Sequence, residues 1–216
     1  MGSEMCIRDR NIIGDSSSNA VWQFHADLLF KNKMRISINY LLDEFVLDQD
    51  IEIGKDHGRA YSLRLAYILL NNQKFLFSVY LRNIYVGTPT FRHGYGSNNF
   101  VQKGIPLGWE LGSDSKENSI GFNFSNRSSF LLKVNFGLLN LGGENIIERA
   151  YEPYKNYLEG TFPSGNVNNI FIISQNLDWM IGNNIRLSLI NNTLIGGISN
   201  FIFGIDIQMP NLIGGK

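Results

Sequence analysis

Histidine is the residue type in this chain that would first suggest catalysis or metal binding. The three histidines, His25, His57 and His93, are far apart, and none has metal-ligand spacing to another histidine or to a cysteine. In a strand, the ring of His25 lies on the face opposite to Trp22 and Phe24, among polar neighbours. A solvated histidine fits that setting better than a general base does. The sequence therefore predicts no catalytic residue, and we expect a protein that is not an enzyme.

Carboxylates form one cluster that could bind a divalent cation. Asp43, Glu44, Asp48, Asp50 and Glu52 lie within ten residues of one another. Oxygen ligands of this kind suit calcium, but the spacing is not that of an EF-hand loop. The chain also lacks a glycine-rich loop for binding phosphate between a strand and a helix. We therefore interpret the cluster as a solvated acidic loop and expect no metal and no cofactor.

The composition favours an all-β protein. Lys+Arg and Asp+Glu both number 19, so the chain lacks the basic excess of a nucleic-acid-binding protein. The mean hydropathy is −0.09, and no apolar run approaches the roughly 20 residues that a membrane-spanning helix needs. The chain has 15 Phe, 9 Tyr and 22 Gly, beside only 5 Pro, and many Asn occur in pairs. Aromatic residues favour strands, and Asn and Gly favour tight turns.

Strand periodicity runs through most of the chain, with apolar and polar residues alternating. Gln175 interrupts the apolar face of one segment, and no stretch of comparable length repeats at the helical period. The pattern predicts about nine strands and few helices. The nine segments are approximately 21–30, 33–42, 61–69, 75–82, 120–125, 129–138, 171–179, 185–189 and 201–209.

The lengths of the connections separate two interpretations of this alternation. A soluble sandwich, for example a lectin-like one, also has an apolar and a polar face on each strand. Here, however, tight turns near 31–32, 71–73, 126–127 and 182–184 alternate with longer polar segments at 43–58, 87–117, 139–167 and 192–199. Such alternation is typical of an outer-membrane barrel, which has short periplasmic turns and long external loops. We therefore predict an antiparallel up-and-down transmembrane β-barrel in the cell outer membrane.

The number of segments predicts that further strands precede those found here. Bacterial barrels have an even number of strands with both ends in the periplasm, whereas nine strands would begin outside. The first ten residues, MGSEMCIRDR, resemble translated adapter sequence and contain the one cysteine, Cys6. We therefore expect residues 1–10 to be non-native, 11–210 to be an amino-terminally truncated barrel, and 211–216 to be a tail.

In a barrel, the polar side of each strand faces the lumen. Charged residues of both signs on that side would give the interior its selectivity. In a soluble sandwich the same residues would form the solvated face. They are Arg35, Arg64, Arg82, Lys133 and Arg186, with Asp27, Asp178 and Asp206.

The segment 85–124 carries a resemblance to a known family. It contains Phe91-Arg92-His93, then Gly104-x-Pro106-Leu107-Gly108, then Leu111-Gly112-x-Asp114-Ser115. This run resembles the capsule-assembly outer-membrane family (Wzi-like), although Ser113 stands where that family usually has proline. The resemblance implies an 18-stranded barrel, of which this chain would be about the carboxy-terminal half. It also implies a non-catalytic role in attaching or assembling capsular polysaccharide at the cell surface.

Two mechanisms remain open for such a protein. External loops and an arginine-bearing mouth could hold an anionic glycan through charge-assisted hydrogen bonds. Alternatively, a charged lumen could make the protein a passive diffusion porin. The expected partners are capsular or other surface polysaccharide and outer-membrane lipid, and no nucleic acid. The loop residues among the candidates could also serve only to shape the loop. The candidate glycan-contacting residues are Arg64, Arg82, Arg92, His93, Asp114 and Arg186.

Overall fold

Strands dominate the computed structural model, which describes residues 21–43, 58–91, 101–102, 105–106, 108–146, 161–182, 184–195 and 199–207. The expected leading segment 1–10 and the tail 211–216 lie outside these residues. The strands are β1 Val21–Phe30, β2 Met34–Asp43, β3 Gly58–Asn71, β4 Leu76–Val86, β5 Val101–Gln102, β6 Ile105–Pro106, β7 Ser115–Ser125, β8 Phe130–Leu141, β9 Asn168–Ile181, β10 Ile185–Ile195 and β11 Ser199–Ile207.

The nine long strands form one antiparallel sheet in the order β1-β2-β3-β4-β7-β8-β9-β10-β11. Each long strand pairs with the long strands next to it along the chain, and β5 pairs only with β6. The prediction of nine antiparallel up-and-down strands is therefore confirmed. β1 and β11 are the two edges of the sheet, so the described strands do not close into a barrel. Within the same residues, no helix is long and apolar enough to cross a membrane.

Several strands extend further than the apolar alternation predicts. β3 begins at Gly58 rather than 61, and β7 begins at Ser115 rather than 120, inside the segment that was predicted to be a long loop. Residues 115–119 of β7 contain no apolar side chain, so their strand structure comes from the ladders to β4 and β8. Alternation reveals a strand only where large apolar residues occupy one face.

The short connections all lie at the same end of the strands, which we call the turn end; the opposite end of the strands is the loop end. At the first turn, Lys31 and Asn32 have φ of 47° and 53°. Two consecutive left-handed residues give the primed turn that matches the twist of a hairpin. The other turns at the turn end connect β3 to β4, β7 to β8 and β9 to β10. The predicted positions of the four tight turns are thus confirmed.

One side of the sheet, the apolar face, carries large apolar side chains that remain exposed. Phe201 is 66% exposed and Phe136, on a central strand, is 44% exposed, whereas only five apolar residues of the described chain are buried. The register aligns these side chains in rows across the strands. One such row contains Leu28, Ile36, Leu65, Leu81, Ile120, Phe136 and Ile173.

The other side, the polar face, carries the charged residues in its centre and a small core at the loop end. Ala60 and Val86, which are cross-strand partners on β3 and β4, pack with Phe91 and Ile146 from the connecting loops. Leu41, Ile84 and Trp109 are the partly buried residues around this cluster. The loops therefore fold over the polar face and leave the apolar face uncovered in the described structure, except at the loop end, where Phe162 packs on Tyr85.

Candidate functional site

The polar face brings two of the predicted site residues together. Arg64 on β3 and Arg82 on β4 are direct cross-strand partners. Like charges directly opposite each other destabilise a sheet, so both guanidinium groups need compensation from elsewhere. Arg186 lies on β10, four strands away from the β4 strand of Arg82 and on the same face. Arg92 and His93 lie outside the described residues.

Arg82 is compensated by β7. Its Nη2 forms a salt bridge with Glu117, and its Nε donates a hydrogen bond of 3.1 Å to Ser119 Oγ. The side chain of Glu117 is 4% exposed and that of Arg82 is 36% exposed. A carboxylate buried this deeply requires its cation, so the pair fixes the direction of Arg82.

Arg64 is compensated by an aromatic ring instead of a carboxylate. Its Cζ lies 4.2 Å from the centroid of the Tyr80 ring, a cation–π distance. The Tyr80 hydroxyl donates a hydrogen bond of 3.1 Å to Asn135 Oδ1. Gly121 leaves room for the ring, because a Cβ there would lie 2.1 Å from Tyr80 Cζ. Arg64 is exposed and forms no ion pair with any residue that the structure describes.

The remaining polar side chains form short hydrogen-bonded groups that run across the strands. His25 Nδ1 lies 2.7 Å from Asn39 Oδ1, and Asn39 Nδ2 donates to Ser62 Oγ at 3.0 Å. Arg186 pairs with Asp178, its Nη2 lying 2.7 Å from Asp178 Oδ1. This surface can therefore hold hydroxyl-rich or anionic ligands through side-chain hydrogen bonds.

Asp114, the predicted site residue of the loop motif, is fully buried at the loop end. Its Oδ1 accepts hydrogen bonds from Thr88 Oγ1 at 2.9 Å and from the Ser164 backbone N–H at 3.0 Å. Its Oδ2 accepts from the Glu144 backbone N–H at 3.0 Å and from the Ser164 hydroxyl. The carboxylate thus joins the connection between β4 and β7 to two parts of the connection between β8 and β9. This position fits the alternative that the motif shapes the loop rather than contacting a ligand.

The rest of the motif supports the same loop. Gly112 has φ of 78°, and a Cβ on it would lie 2.4 Å from Asn145 Oδ1. Asn145 Nδ2 donates to the carbonyl of Leu111 at 2.7 Å, and Ser113 Oγ accepts from the Ile146 N–H at 3.1 Å. A residue with positive φ and no room for a side chain requires glycine.

Of the acidic cluster, only Asp43 lies within the described residues. It is buried, and its Oδ2 accepts a hydrogen bond from the Phe91 N–H, at a residue whose φ is 68°. Asp43 therefore joins the β2 end to the loop after β4. No group of three or more His, Cys, Asp or Glu side chains suited to a metal ion occurs in the part of the chain that the structure describes.

Sequence reasoning missed Tyr80, Glu117 and Ser119. Tyr80 has the same parity as Arg82 on a predicted strand, so its position beside Arg64 could have been read from alternation. Glu117 and Ser119 could not, because their segment was predicted to be a loop. The charge pair with Arg82 depends on the register between β4 and β7, which only the structure supplies.

The apolar face also carries polar residues that the alternation only partly revealed. Asn83 Nδ2 donates to Asn118 Oδ1 across strands at 2.7 Å. Gln175 pairs in register with Asn191, and its exposed side chain makes no hydrogen bond to any described residue.

Comparison with known proteins does not extend this description. No protein-family model and no curated protein matches the chain.

Proposed function

We propose that these strands belong to an outer-membrane β-barrel that attaches or assembles capsular polysaccharide at the cell surface and catalyses no reaction. The observation that carries the proposal is the uncovered apolar face. Nine strands make the sheet about 38 Å wide, and strands of about ten residues make it about 30 Å tall. A soluble monomer rarely exposes a continuous apolar patch of more than a few hundred Å². Lipid is the solvent that suits a surface of this extent.

The height of the apolar face also suits an outer membrane. On β1 it extends from Trp22 to Phe30, and on β9 from Phe171 to Trp179. Eight residue steps span about 26 Å along a strand, or about 20 Å across the membrane at a tilt near 40°. Aromatic side chains at the two limits are typical of the boundary between lipid and water.

Aromatic contacts support this arrangement at both limits. At the loop end, the rings of Tyr61 and Tyr85 stack with centroids 5.2 Å apart, and Phe162 packs on Tyr85 at 4.4 Å. At the turn end, Phe75 stacks with Phe124 at 5.8 Å. Between them, the row through Leu65 and Leu81 is aliphatic over most of its length.

The soluble sandwich is the less favoured alternative. A sandwich buries its apolar side chains against a second sheet. In the described residues no second sheet lies over the apolar face, and the small core at Val86 and Phe91 forms on the polar face instead.

Strand direction favours a barrel that contains more strands than these nine. Because each long strand is antiparallel to the next, β1 and β11 run in the same direction. Closing the sheet with antiparallel pairs therefore needs an odd number of further strands, which gives the even total that is usual in bacterial barrels. The 18 strands implied by the family resemblance satisfy this condition.

The polysaccharide role depends on the Arg64–Arg82 site. Arg64 is exposed, lies against a ring and has no carboxylate partner among the described residues, so its donors are available to a carboxylate on a sugar. Aromatic rings that carry hydrogen-bonding groups also suit the faces of sugars. We therefore assign Arg64, Arg82 and Tyr80 as contacts for an acidic glycan, with Arg186 as a more distant contact.

A passive porin is the second candidate, because the ion pairs Arg82–Glu117 and Arg186–Asp178 line the same face. Conductance in planar bilayers tests it directly. A conducting pore whose ion selectivity does not change when acidic oligosaccharide is added would favour diffusion over attachment.

The sidedness of the sheet is tested with two neighbouring residues of β9. Ile173 lies on the apolar face and Ser174 on the polar face. In the complete gene product, folded into outer membrane, we expect Ile173→Arg to lower the free energy of unfolding by about 2–4 kcal/mol and Ser174→Arg to change it little. Heat-modifiable gel mobility identifies the folded barrel. Equal effects of the two substitutions, or mobility that heating does not change, would contradict the barrel.

The glycan role is tested by pull-down of the heat-modifiable protein on acidic oligosaccharide, with a neutral oligosaccharide as the control matrix. We expect Arg64→Gln to reduce retention on the acidic matrix only. Equal retention of the wild-type protein on both matrices would contradict recognition by the arginines.

A further inference from the structure

A groove of about 430 Å³ lies at the turn end, between the turn that joins β3 to β4 and the turn that joins β7 to β8. It is outside the polar-face site described above. The groove is lined by Gln73, Lys74, Phe75, Asn126, Arg127 and Ser128.

The groove is positively charged. It is lined by Lys74 and Arg127 and by no carboxylate. Arg127 donates a hydrogen bond to the side-chain oxygen of Asn71, which is neutral, so its charge is not compensated there. Neither cation forms an ion pair with another described residue. An anion would therefore gain a charge-assisted contact with each side of the groove.

Both sides of the groove are held in place by side-chain hydrogen bonds. Asn72 Oδ1 accepts from the N–H groups of Lys74 at 2.9 Å and of Phe75 at 2.7 Å. Asn126 Oδ1 accepts from the N–H groups of Ser129 at 2.8 Å and of Phe130 at 2.7 Å. A ligand would consequently meet turns that are already ordered.

One wall of the groove continues into the aromatic part of the apolar face. Phe75 lines the groove and stacks with Phe124, whose ring lies 6.0 Å from that of Phe130. Two cations thus lie next to a group of apolar rings. This combination matches a molecule with an anionic head and a hydrocarbon chain.

We infer that this groove binds an anionic phospholipid, with the phosphate between Lys74 and Arg127 and an acyl chain along Phe75 and Phe124. The inference rests on the proposed membrane barrel, because it requires the turn end to lie at the level of the lipid headgroups. It adds a defined lipid site in the leaflet opposite to the loops. A free phosphate ion would use the same cations but would gain nothing from the aromatic wall.

The test uses the complete, heat-modifiable protein in detergent, with native mass spectrometry to count retained lipids. The probes are phosphatidylglycerol and the zwitterionic phosphatidylcholine. We expect retention of phosphatidylglycerol to fall about tenfold when Lys74→Gln and Arg127→Gln are combined. The matched control is Lys31→Gln with Lys33→Gln, which removes two cations from the first turn and, at Lys31, shares the positive φ of Arg127. The control should retain phosphatidylglycerol as the wild type does.

Three results would overturn the inference. They are equal retention of the two lipids by the wild type, an equal loss in the control variant, and complete competition by inorganic phosphate, which would indicate a free-anion site. Because each variant is first examined for heat-modifiable mobility, failure of the barrel itself is recognised separately. Where the double variant does not fold, the single variant Lys74→Gln gives the same comparison with a smaller expected loss. A single variant that retains phosphatidylglycerol as the wild type does would also overturn the inference.

Discussion

Replacing Asp114 with Asn should release the loops at the loop end while leaving the sheet intact. Asp114 is fully buried and accepts hydrogen bonds from Thr88, Glu144 and Ser164. Its φ is 54°, a conformation that Asn tolerates as well as Asp does. The substitution therefore removes the charge and one acceptor atom without adding backbone strain.

The size of the effect follows from the donors that lose their acceptor. An amide keeps one oxygen, so it can satisfy either the Oδ1 partners or the Oδ2 partners, while its NH2 group faces the other set. The Ser164 N–H also lies 3.3 Å from Oδ2, so an oxygen kept at the Oδ2 position accepts from both backbone N–H groups, whereas an oxygen kept at the Oδ1 position leaves the Glu144 N–H without an acceptor. In either orientation a buried donor without an acceptor costs about 1–3 kcal/mol, and each remaining hydrogen bond loses about 1 kcal/mol because its acceptor is no longer charged. We expect the loops to lose about 2–4 kcal/mol of local stability.

Hydrogen exchange followed by mass spectrometry measures this loss at the two backbone amides. A change of 2–4 kcal/mol corresponds to exchange about 30- to 700-fold faster at Glu144 and Ser164. The control is Ser115→Ala, which removes one buried hydroxyl whose bond to the Gly112 carbonyl is 3.1 Å long. It should accelerate exchange at Glu144 and Ser164 less than the Asn variant does, because it removes no acceptor of these two N–H groups. Unchanged exchange at Glu144 and Ser164 in the Asn variant, or equal acceleration in strands β8 and β9, would refute the role of Asp114 as a local tie.

Three further predictions concern the two faces of the sheet, each measured on the heat-modifiable protein. Arg82→Gln should lower the denaturant midpoint, because Glu117 would stay buried without a cation. Adding Glu117→Gln to that variant should recover part of the loss. A double variant with no recovery would contradict the pairing of Arg82 with Glu117. Gly121→Ala should displace the Tyr80 ring, lower the free energy of unfolding by about 1–3 kcal/mol and reduce retention on acidic glycan. Unchanged retention would show that the Tyr80 ring does not contribute to glycan binding. Gln175→Leu should raise the denaturant midpoint, because an amide without a partner is unfavourable in lipid; a lower midpoint would mean that this amide has a polar partner in the membrane.

The fold could be predicted from the sequence wherever large apolar residues alternate with polar ones. Strand β1 is the clearest case, since its predicted bounds, Val21–Phe30, are those of the structure. The first turn could be predicted equally well, because Lys31-Asn32 separates two alternating segments and Asn favours left-handed φ. Periodicity is a local property, so a single sequence contains it in full.

The site was only partly predictable, because register is not a local property. Alternation predicted that Arg64 and Arg82 point to one face, but not that they are directly opposite each other. The Glu117 partner of Arg82 belongs to residues 115–119, whose strand structure depends on pairing with both neighbours rather than on side-chain pattern. Asp114 was selected for its motif, and its burial depends on contacts between loops that are 26 to 50 residues apart in sequence.

Polar residues on the apolar face would be unfavourable in hydrocarbon, but their cost is too small to argue against the proposed barrel. The amides of Asn83 and Asn118 satisfy each other across two strands, so the pair exposes fewer unsatisfied polar groups than two isolated amides would. Gln175 lacks such a bond and lies four residues from both Phe171 and Trp179, near the middle of the apolar height. Asn191 and Thr193 of β10 also lie on this face, and the Thr193 hydroxyl donates a hydrogen bond of 3.2 Å to Asn191 Oδ1, whereas the Gln175 side chain has no such bond to a described residue. One unpaired amide costs a few kcal/mol, whereas the apolar surface that would otherwise face water covers hundreds of Å² at about 25 cal/mol per Å². The larger quantity favours the proposed barrel, in which the apolar side of the sheet faces lipid.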